Sequence, residues 1–230
     1  MYRNEIKFII DKYAALLIIG RISGICNKDS FSDDNNQYHI RSLYYDTVSD
    51  DFLFETLSGV DIRHKYRIRT YNNDSSFIRL EKKSTENGKK KKDSSILTRQ
   101  QCDALICGEF FCESSDTQSV LHEFQGEHLD KCFVPRVIVD YLRIPFVYPA
   151  GNVRITFDFD VSAGNDFRSF FDEKLLLYPV LPSDMCVLEV KYDDILPTPI
   201  RNAVFEDGKL NQSAFSKYAL SREEMKKYEF

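Results

Sequence analysis

Between Arg63 and Thr70 every second residue is basic: Arg63, Lys65, Arg67 and Arg69 alternate with His64, Tyr66, Ile68 and Thr70. Successive side chains of a β-strand point to opposite faces, so as a strand this segment gathers its cations on one side. A file of like charges repels itself unless water or an anion neutralises it. The segment therefore predicts a sheet with one apolar face and one face that needs negative partners.

The same two-faced pattern recurs along the chain. Arg79, Glu81 and Lys83 oppose Ile78, Leu80 and Lys82, and Arg3, Glu5 and Lys7 oppose Ile6, Phe8 and Ile10. Arg154, Thr156, Asp158 and Asp160 oppose Val153, Ile155, Phe157 and Phe159, while Glu189 and Lys191 oppose Leu188, Val190 and Tyr192. The separation is weaker in 134–143, where Tyr141 and Arg143 share a face with Val137 and Val139. Strands are predicted near residues 2–10, 38–45, 61–71, 76–84, 90–97, 134–143, 152–160 and 186–193. Their number and spacing predict an antiparallel sheet or barrel in one domain spanning 1–230, since no repeat or linker divides the chain. On closure, the apolar faces pack under outer helices and the charged faces line the interior.

Helices are fewer. Asp11 is placed to cap a helix through Ile19 that ends at Gly20. Thr98 and Gln101 form a capping-box pattern, residues 115–125 have helical spacing, and Ser213 is placed to cap a helix carrying Phe215, Tyr218 and Ala219, with a second amphipathic piece from Ser221. Two polar stretches read as loops, Asn27–Gln37 and Thr85–Ser95; the lysine run 89–92 in the second reads as a solvated segment that draws polyanions.

A content of 43% hydrophobic and 13% aromatic residues supports a sizeable core. The longest apolar run, Ala14–Ile19, is far short of the roughly 18 residues of a membrane span. No signal peptide is evident, so a soluble, cytoplasmic chain is expected. The six cysteines form no C-x-x-C pair and read as reduced thiols, with a structural zinc site the minor alternative. A formal net charge of −5 argues against a nucleic-acid coat.

An interior lined by arginine and lysine must hold a polyanion, because unpaired buried charge is costly. Arginine offers a planar fork matched to phosphate oxygens, and lysine a compact charge. A few glutamates among such cations suit a hard divalent cation that bridges to phosphate. Asp158 and Asp160 are expected to form ion pairs at the rim, and Tyr44, Tyr45 and Asp46 to be structural.

Ordered along the chain are Arg-x-Glu-x-Lys-Phe (3–8), Ser42-Leu43-Tyr44-Tyr45-Asp46-Thr47, Tyr66-Arg67-Ile68-Arg69 and Leu80-Glu81-Lys82-Lys83. Tyr141-Leu142-Arg143, Val153-Arg154-Ile155-Thr156-Phe157-Asp158, Leu188-Glu189-Val190-Lys191 and Phe215-Ser216-Lys217 complete the set. In these pieces the chain resembles the catalytic domain of the vacuolar transporter chaperone (VTC) polyphosphate polymerases, within the triphosphate tunnel metalloenzyme superfamily. The resemblance implies an α+β fold, an eight-stranded antiparallel β-barrel tunnel with flanking helices. It implies transfer of the terminal phosphoryl group of ATP to polyphosphate with Mn²⁺ or Mg²⁺. Carried over by position, Arg67, Arg69, Lys83, Arg143, Arg154 and Lys191 are the catalytic cations. Lys7, Lys92, Ser216 and Lys217 bind phosphate. Glu189 is the leading metal ligand, with Glu5 and Glu81 secondary.

Two departures bear on this. Arg3 replaces the first glutamate of the superfamily's Glu-x-Glu-x-Lys strand, which fits the polymerase branch and disfavours thiamine-triphosphatase or adenylate-cyclase readings. Ala214 stands where some eukaryotic relatives have lysine. ATP or another triphosphate and polyphosphate are the expected partners, with association with a membrane partner left open and nucleic acid not expected. A triphosphatase using water as acceptor and a non-catalytic polyphosphate-binding module are the alternatives.

Overall fold

The computed structural model describes residues 3–30, 32–109, 119–206, 210 and 216–228. The expectations on Cys112, Ser213, Ala214 and Phe215 lie outside the described residues. The strands are β1 (Asn4–Asp11), β2 (Asn27–Lys28), β3 (Tyr38–Asp46), β4 (Arg63–Tyr71), β5 (Ile78–Glu86), β6 (Lys89–Leu97), β7 (Val134–Tyr148), β8 (Val153–Gly164), β9 (Tyr178–Pro179) and β10 (Met185–Tyr192). The helices are α1 (Lys12–Ile22), α2 (Asp51–Leu57), α3 (Arg99–Ile106), α4 (Val120–Lys131), α5 (Thr198–Phe205) and α6 (Lys217–Met225). Hydrogen bonding orders the long strands β1-β10-β8-β7-β3-β4-β5-β6, with β2 on β7 and β9 on β8. The expected α+β class, with eight long strands and flanking helices, is what the structure has. No helix among the described residues is long and apolar enough to cross a membrane.

The chain divides into two compact units, and β3, β7 and β8 each contribute to both. The first comprises 1–39, 141–161 and 181–215. Its core sets Phe8, Ile155, Phe157, Leu188 and Val190 of three strands against Ala15, Ile18 and Ile22 of α1 and Ile200 and Val204 of α5. The second comprises 40–140, 162–180 and 216–230. There Leu43, Tyr66, Ile68 and Leu80 pack with Cys102 and Leu105 of α3 and Leu121 and Phe124 of α4. Each core takes the apolar face that the alternation predicted.

Local signals hold with instructive exceptions. Asp11 caps α1 by accepting from the Ala14 amide at 2.8 Å. The helix nevertheless runs through Gly20 to Ile22, because burying Ile22 outweighs the ~1 kcal/mol that a helical glycine costs. Thr98 and Gln101 form the expected capping box. The described part of the helix expected at 115–125 begins after Ser119 and continues to Lys131. At the C-terminus one helix, α6, replaces the two expected pieces, and Ser221 lies buried in its interior.

The stretch read as a loop at Thr85–Ser95 is a hairpin, whose second arm is the strand expected near 90–97. Asn87 and Gly88, at φ 50° and 73°, turn β5 directly into β6, the left-handed pair that a two-residue turn demands. The lysine run is therefore strand, and its alternate members share the face of the strands beside it.

Candidate functional site

In the second unit the register of β4, β5 and β6 builds a cationic face. Arg69 lies opposite Arg79, Arg67 opposite Glu81, and Lys65 opposite Lys83. On the far side Lys83 pairs with Lys92, Glu81 with Ser94 and Thr85 with Lys90. Directly opposed residues point to the same side. Arg63, Lys65, Arg67, Arg69, Arg79, Lys83, Lys90 and Lys92 thus share one face of three strands with a single carboxylate, Glu81.

Glu81 organises the middle of that face. Its carboxylate, fully buried, accepts from Arg67 Nε at 2.8 Å and from Lys92 Nζ at 3.0 Å, with Arg69 Nη1 at 3.9 Å. Burial opposes its charge, but Arg67, Arg69 and Lys92 outweigh burial and hold the carboxyl well below the usual carboxylate range. Arg67 Nη1 also donates to the Tyr44 hydroxyl at 2.8 Å, and Arg69 Nε to Ser42 Oγ at 3.0 Å. Burial would raise the Tyr44 hydroxyl, yet Arg67, Arg69 and Lys217 bring it below its ordinary value. Both guanidinium groups are thereby fixed in orientation before any ligand arrives.

Ser216 and Lys217 join this set through α6. The Tyr218 hydroxyl donates to Asp46 Oδ2 at 2.5 Å, its ring stacks on Tyr44 with centroids 5.2 Å apart, and Arg222 forks onto Asp50 at 2.8 and 2.9 Å. Lys65 Nζ then reaches Ser216 Oγ at 3.3 Å. Asp46 is structural, as expected: it also accepts the amides of Thr47, Phe52 and Leu53 and so anchors the start of α2. Tyr44 does more than fill space, because its hydroxyl orients Arg67.

In the first unit, β1, β10 and β8 place Lys7, Glu189 and Thr156 in one row and Glu5, Lys191 and Arg154 in the next. Lys7 Nζ lies 2.9 Å from Glu5 Oε1 and 3.5 Å from Glu189 Oε2. Lys191 Nζ contacts Glu189 and lies 3.6 Å from Glu5 Oε2. Arg154 is held by Asp29 at 2.7 Å and by the Tyr38 hydroxyl at 2.8 Å. Arg143 forks onto Asp158, Nε to Oδ1 at 2.6 Å and Nη2 to Oδ2 at 2.8 Å. Asp158 is completely buried. Asp160, at φ 52°, turns outward to Lys12 at 2.9 Å. Both aspartates form ion pairs as expected: Asp158 does so fully buried, as a clamp on Arg143, and the left-handed backbone at Asp160 turns that residue toward Lys12.

The donor chemistry fits a hard divalent cation in the first unit. Glu5 and Glu189 have almost fully buried carboxylates on neighbouring strands. Beside Glu189, the buried Thr156 hydroxyl has no hydrogen-bond partner among the described residues. Mg²⁺ is commonly held by one or two carboxylates with substrate phosphates completing the shell. Among the described residues no cluster of three or more His, Cys, Asp and Glu side chains is arranged as a metal site, so a cation there would depend on ligand oxygens. Glu81 lies in the other unit, where Arg67 and Lys92 take its two oxygens; Glu5 and Glu189 are likewise each in contact with Lys7 and Lys191.

The expected site residues therefore fall into two sets. Arg67, Arg69, Lys83, Lys92, Glu81, Ser216 and Lys217 belong to the second unit, and Lys7, Arg143, Arg154, Lys191, Glu5 and Glu189 to the first. Sequence reasoning passed over Lys65, Arg79 and Thr156 as site members, although alternation already put each on a charged face. Asp29 and Tyr38 carried no local signal.

The structure resembles the putative adenylate cyclase bh2851 of Bacillus halodurans, with a TM-score of 0.53 at 10% identity over 94% of this chain and 96% of that one. That likeness shows the fold alone, an antiparallel sheet with flanking helices. PH1819 of Pyrococcus horikoshii OT3 aligns at TM-score 0.49 and 14% identity over 97% and 99% of the two chains. The Mimivirus capping enzyme triphosphatase aligns at 0.39 and 10% over 90% and 87%. No curated protein matches the chain in sequence. The family model of the VTC domain matches residues 2–226, and the chain belongs to that family.

Proposed function

We propose that the chain is a metal-dependent polyphosphate polymerase that transfers the terminal phosphoryl group of ATP to a polyphosphate chain. The observation that carries this reading is the face of β4, β5 and β6, where a file of cations surrounds one carboxylate. Membership of the VTC domain family supports it.

Phosphoryl transfer asks little covalent chemistry of a protein; positioning and electrostatic stabilisation provide most of the rate. A terminal oxygen of the acceptor chain attacks the γ-phosphorus of ATP. The new P–O bond forms as the bond to the β-phosphate oxygen breaks, and ADP leaves with that electron pair. Arg67 and Arg69, aimed by Glu81, Tyr44 and Ser42, donate to the transferring group's oxygens. Lys83, Lys92, Lys217 and Ser216 hold flanking phosphates. In the first unit Lys7, Lys191, Arg154 and Arg143 serve as phosphate cations, the last two oriented by Asp29 and Asp158. Glu5 and Glu189 would hold Mn²⁺ or Mg²⁺, which supplies positive charge to phosphate oxygens. Glu81 acts as a positioning residue. The free thiols of Cys26, Cys102, Cys107, Cys132 and Cys186 accord with a cytoplasmic setting.

The test is product identity. Pure chain with ATP and Mn²⁺ or Mg²⁺ should yield ADP and long-chain polyphosphate, and chelation of the metal should stop both. Orthophosphate without polymer would replace this reading with a triphosphatase. Binding of polyphosphate without turnover under either metal would leave a binding module.

A further inference from the structure

The cationic face changes character at one end. One row beyond the Arg69–Arg79 pair, where β4 turns toward β5, stand Tyr71 and Phe77, with ring centroids 6.2 Å apart. The Arg79 guanidinium lies 4.7 Å over the Phe77 ring. Ile96, opposite Arg79 on β6, is 67% exposed, and Phe77 is 36% exposed. At the other end the face stays basic through Lys65, Lys83 and Lys92 to Arg63 and Lys90.

This apolar ledge is held in place. The turn donates the Asp74 amide to the Tyr71 carbonyl at 2.9 Å and the Ser76 amide to Asp74 Oδ1 at 2.7 Å, and Thr70 Oγ1 donates to the Asp74 carbonyl at 3.3 Å. Arg79 Nε is buried with no hydrogen-bond partner among the described residues. An unpaired buried donor is costly, and here the side chain is held by its packing on the Phe77 ring rather than by a protein acceptor. A phosphate chain has no use for aromatic rings, whereas a base has a π face that stacks on rings and on guanidinium planes. Four rows bearing cations follow the aromatic row at intervals of ~7 Å, so one ligand with a flat apolar head and a polyanionic tail matches the sequence of surfaces.

We propose that Tyr71, Phe77, Arg79 and Ile96 seat the base of a nucleoside triphosphate whose phosphates run along the file from Arg69 toward Lys65. The seat makes this face prefer a nucleoside triphosphate to inorganic tripolyphosphate. The proposal rests on the phosphate-binding reading above and adds the group that the reading left without a place.

Calorimetric titration of the full chain with ATP and with tripolyphosphate tests it. Phe77→Leu should weaken ATP binding about tenfold, the scale of losing one stacked ring, and leave tripolyphosphate binding unchanged. Equal weakening for both ligands, or none for either, overturns the seat. The chain has no tryptophan, so Phe77→Trp puts a single indole on the ledge. ATP should quench its fluorescence and tripolyphosphate should not; quenching by both alike, or by neither, overturns the seat. If the wild-type chain binds neither ligand, the phosphate-binding reading itself falls and takes the seat with it. Retained tripolyphosphate binding with an ATP affinity indifferent to Phe77 overturns the seat alone.

Discussion

Glu81 has a fully buried side chain that touches Arg67, Arg69 and Lys92, and its removal would free three cations to repel one another. Burial disfavours its charge and those cations more than restore it, so its folded pKa lies well below the ordinary one. A group of this kind stabilises the fold in full above its unfolded pKa, and that stability is lost as pH falls through the folded value. Glu81→Gln should cost about 3 kcal/mol at pH 7, the lower end of what breaking a buried pair costs. The gap from wild type should narrow as pH drops below about 4, where an unfolded glutamate takes up its proton. Urea melts of both proteins from pH 7 to pH 3 measure this; a gap that stays constant would show that Glu81 is not ionised in the fold. Arg67 makes a different demand. Its guanidinium is oriented at Nε by Glu81 and at Nη1 by Tyr44, so Arg67→Ala removes a donor that is already aimed. Turnover of ATP should fall roughly 10²- to 10³-fold, the scale of one lost transition-state donor. A kcat within a few-fold of wild type would place the chemistry elsewhere.

Among the elements, α2 and α6 depend on one residue at the end of β3. Asp46 accepts three backbone amides and the Tyr218 hydroxyl, all in a buried setting. Asp46→Ala would leave those donors unpaired and should cost about 3 kcal/mol. The helix that carries Lys217 would be released with it, so tripolyphosphate affinity should fall together with the urea midpoint; an unchanged affinity would separate α6 from the site. The same elements show what could be read beforehand. Strands such as β1, β4, β8 and β10 were legible because one face is apolar and packs into a core, which writes period two into residues such as Ile6, Phe8 and Ile10. The capped helices α1 and α3 were legible from Asp11 and Thr98. Helix α2 was not: it has seven residues, and its anchor is a strand carboxylate rather than a cap of its own. Helix α5 starts after Pro197 with no side-chain cap. In the lysine run the turn signal was present in Asn87-Gly88, but unbroken charge blurred where the loop ends and β6 begins at Lys89. The cations of the site were legible from the face they share. Their partners were not, since Asp29 and Asp158 meet Arg154 and Arg143 through pairing that only the folded register decides.

At the scale of the whole molecule, a chain of net charge −5 carries a face on which eight named cations meet one carboxylate. Acidic residues elsewhere more than balance that face, so its attraction for a polyanion acts at short range and through geometry. Glu81 offsets part of the repulsion among these cations, and a bound polyanion would relieve more of it. Any ligand that binds the native state alone stabilises it by mass action, about 2.7 kcal/mol at a hundred times its Kd. For a chain of 150–250 residues each kcal/mol is worth roughly 2–4 °C, so saturating tripolyphosphate should raise the Tm by about 5–10 °C. Screening shortens to ~3 Å at 1 M salt, and the shift should shrink accordingly between 0.1 M and 1 M sodium chloride. Sodium sulfate matched in ionic strength is the control, because general exclusion of salt from protein surfaces stabilises without a site. Arg67→Ala should lose most of the shift given by tripolyphosphate while responding to sulfate as wild type does. Equal shifts from the two anions in both proteins would mean that the cationic face holds no specific guest.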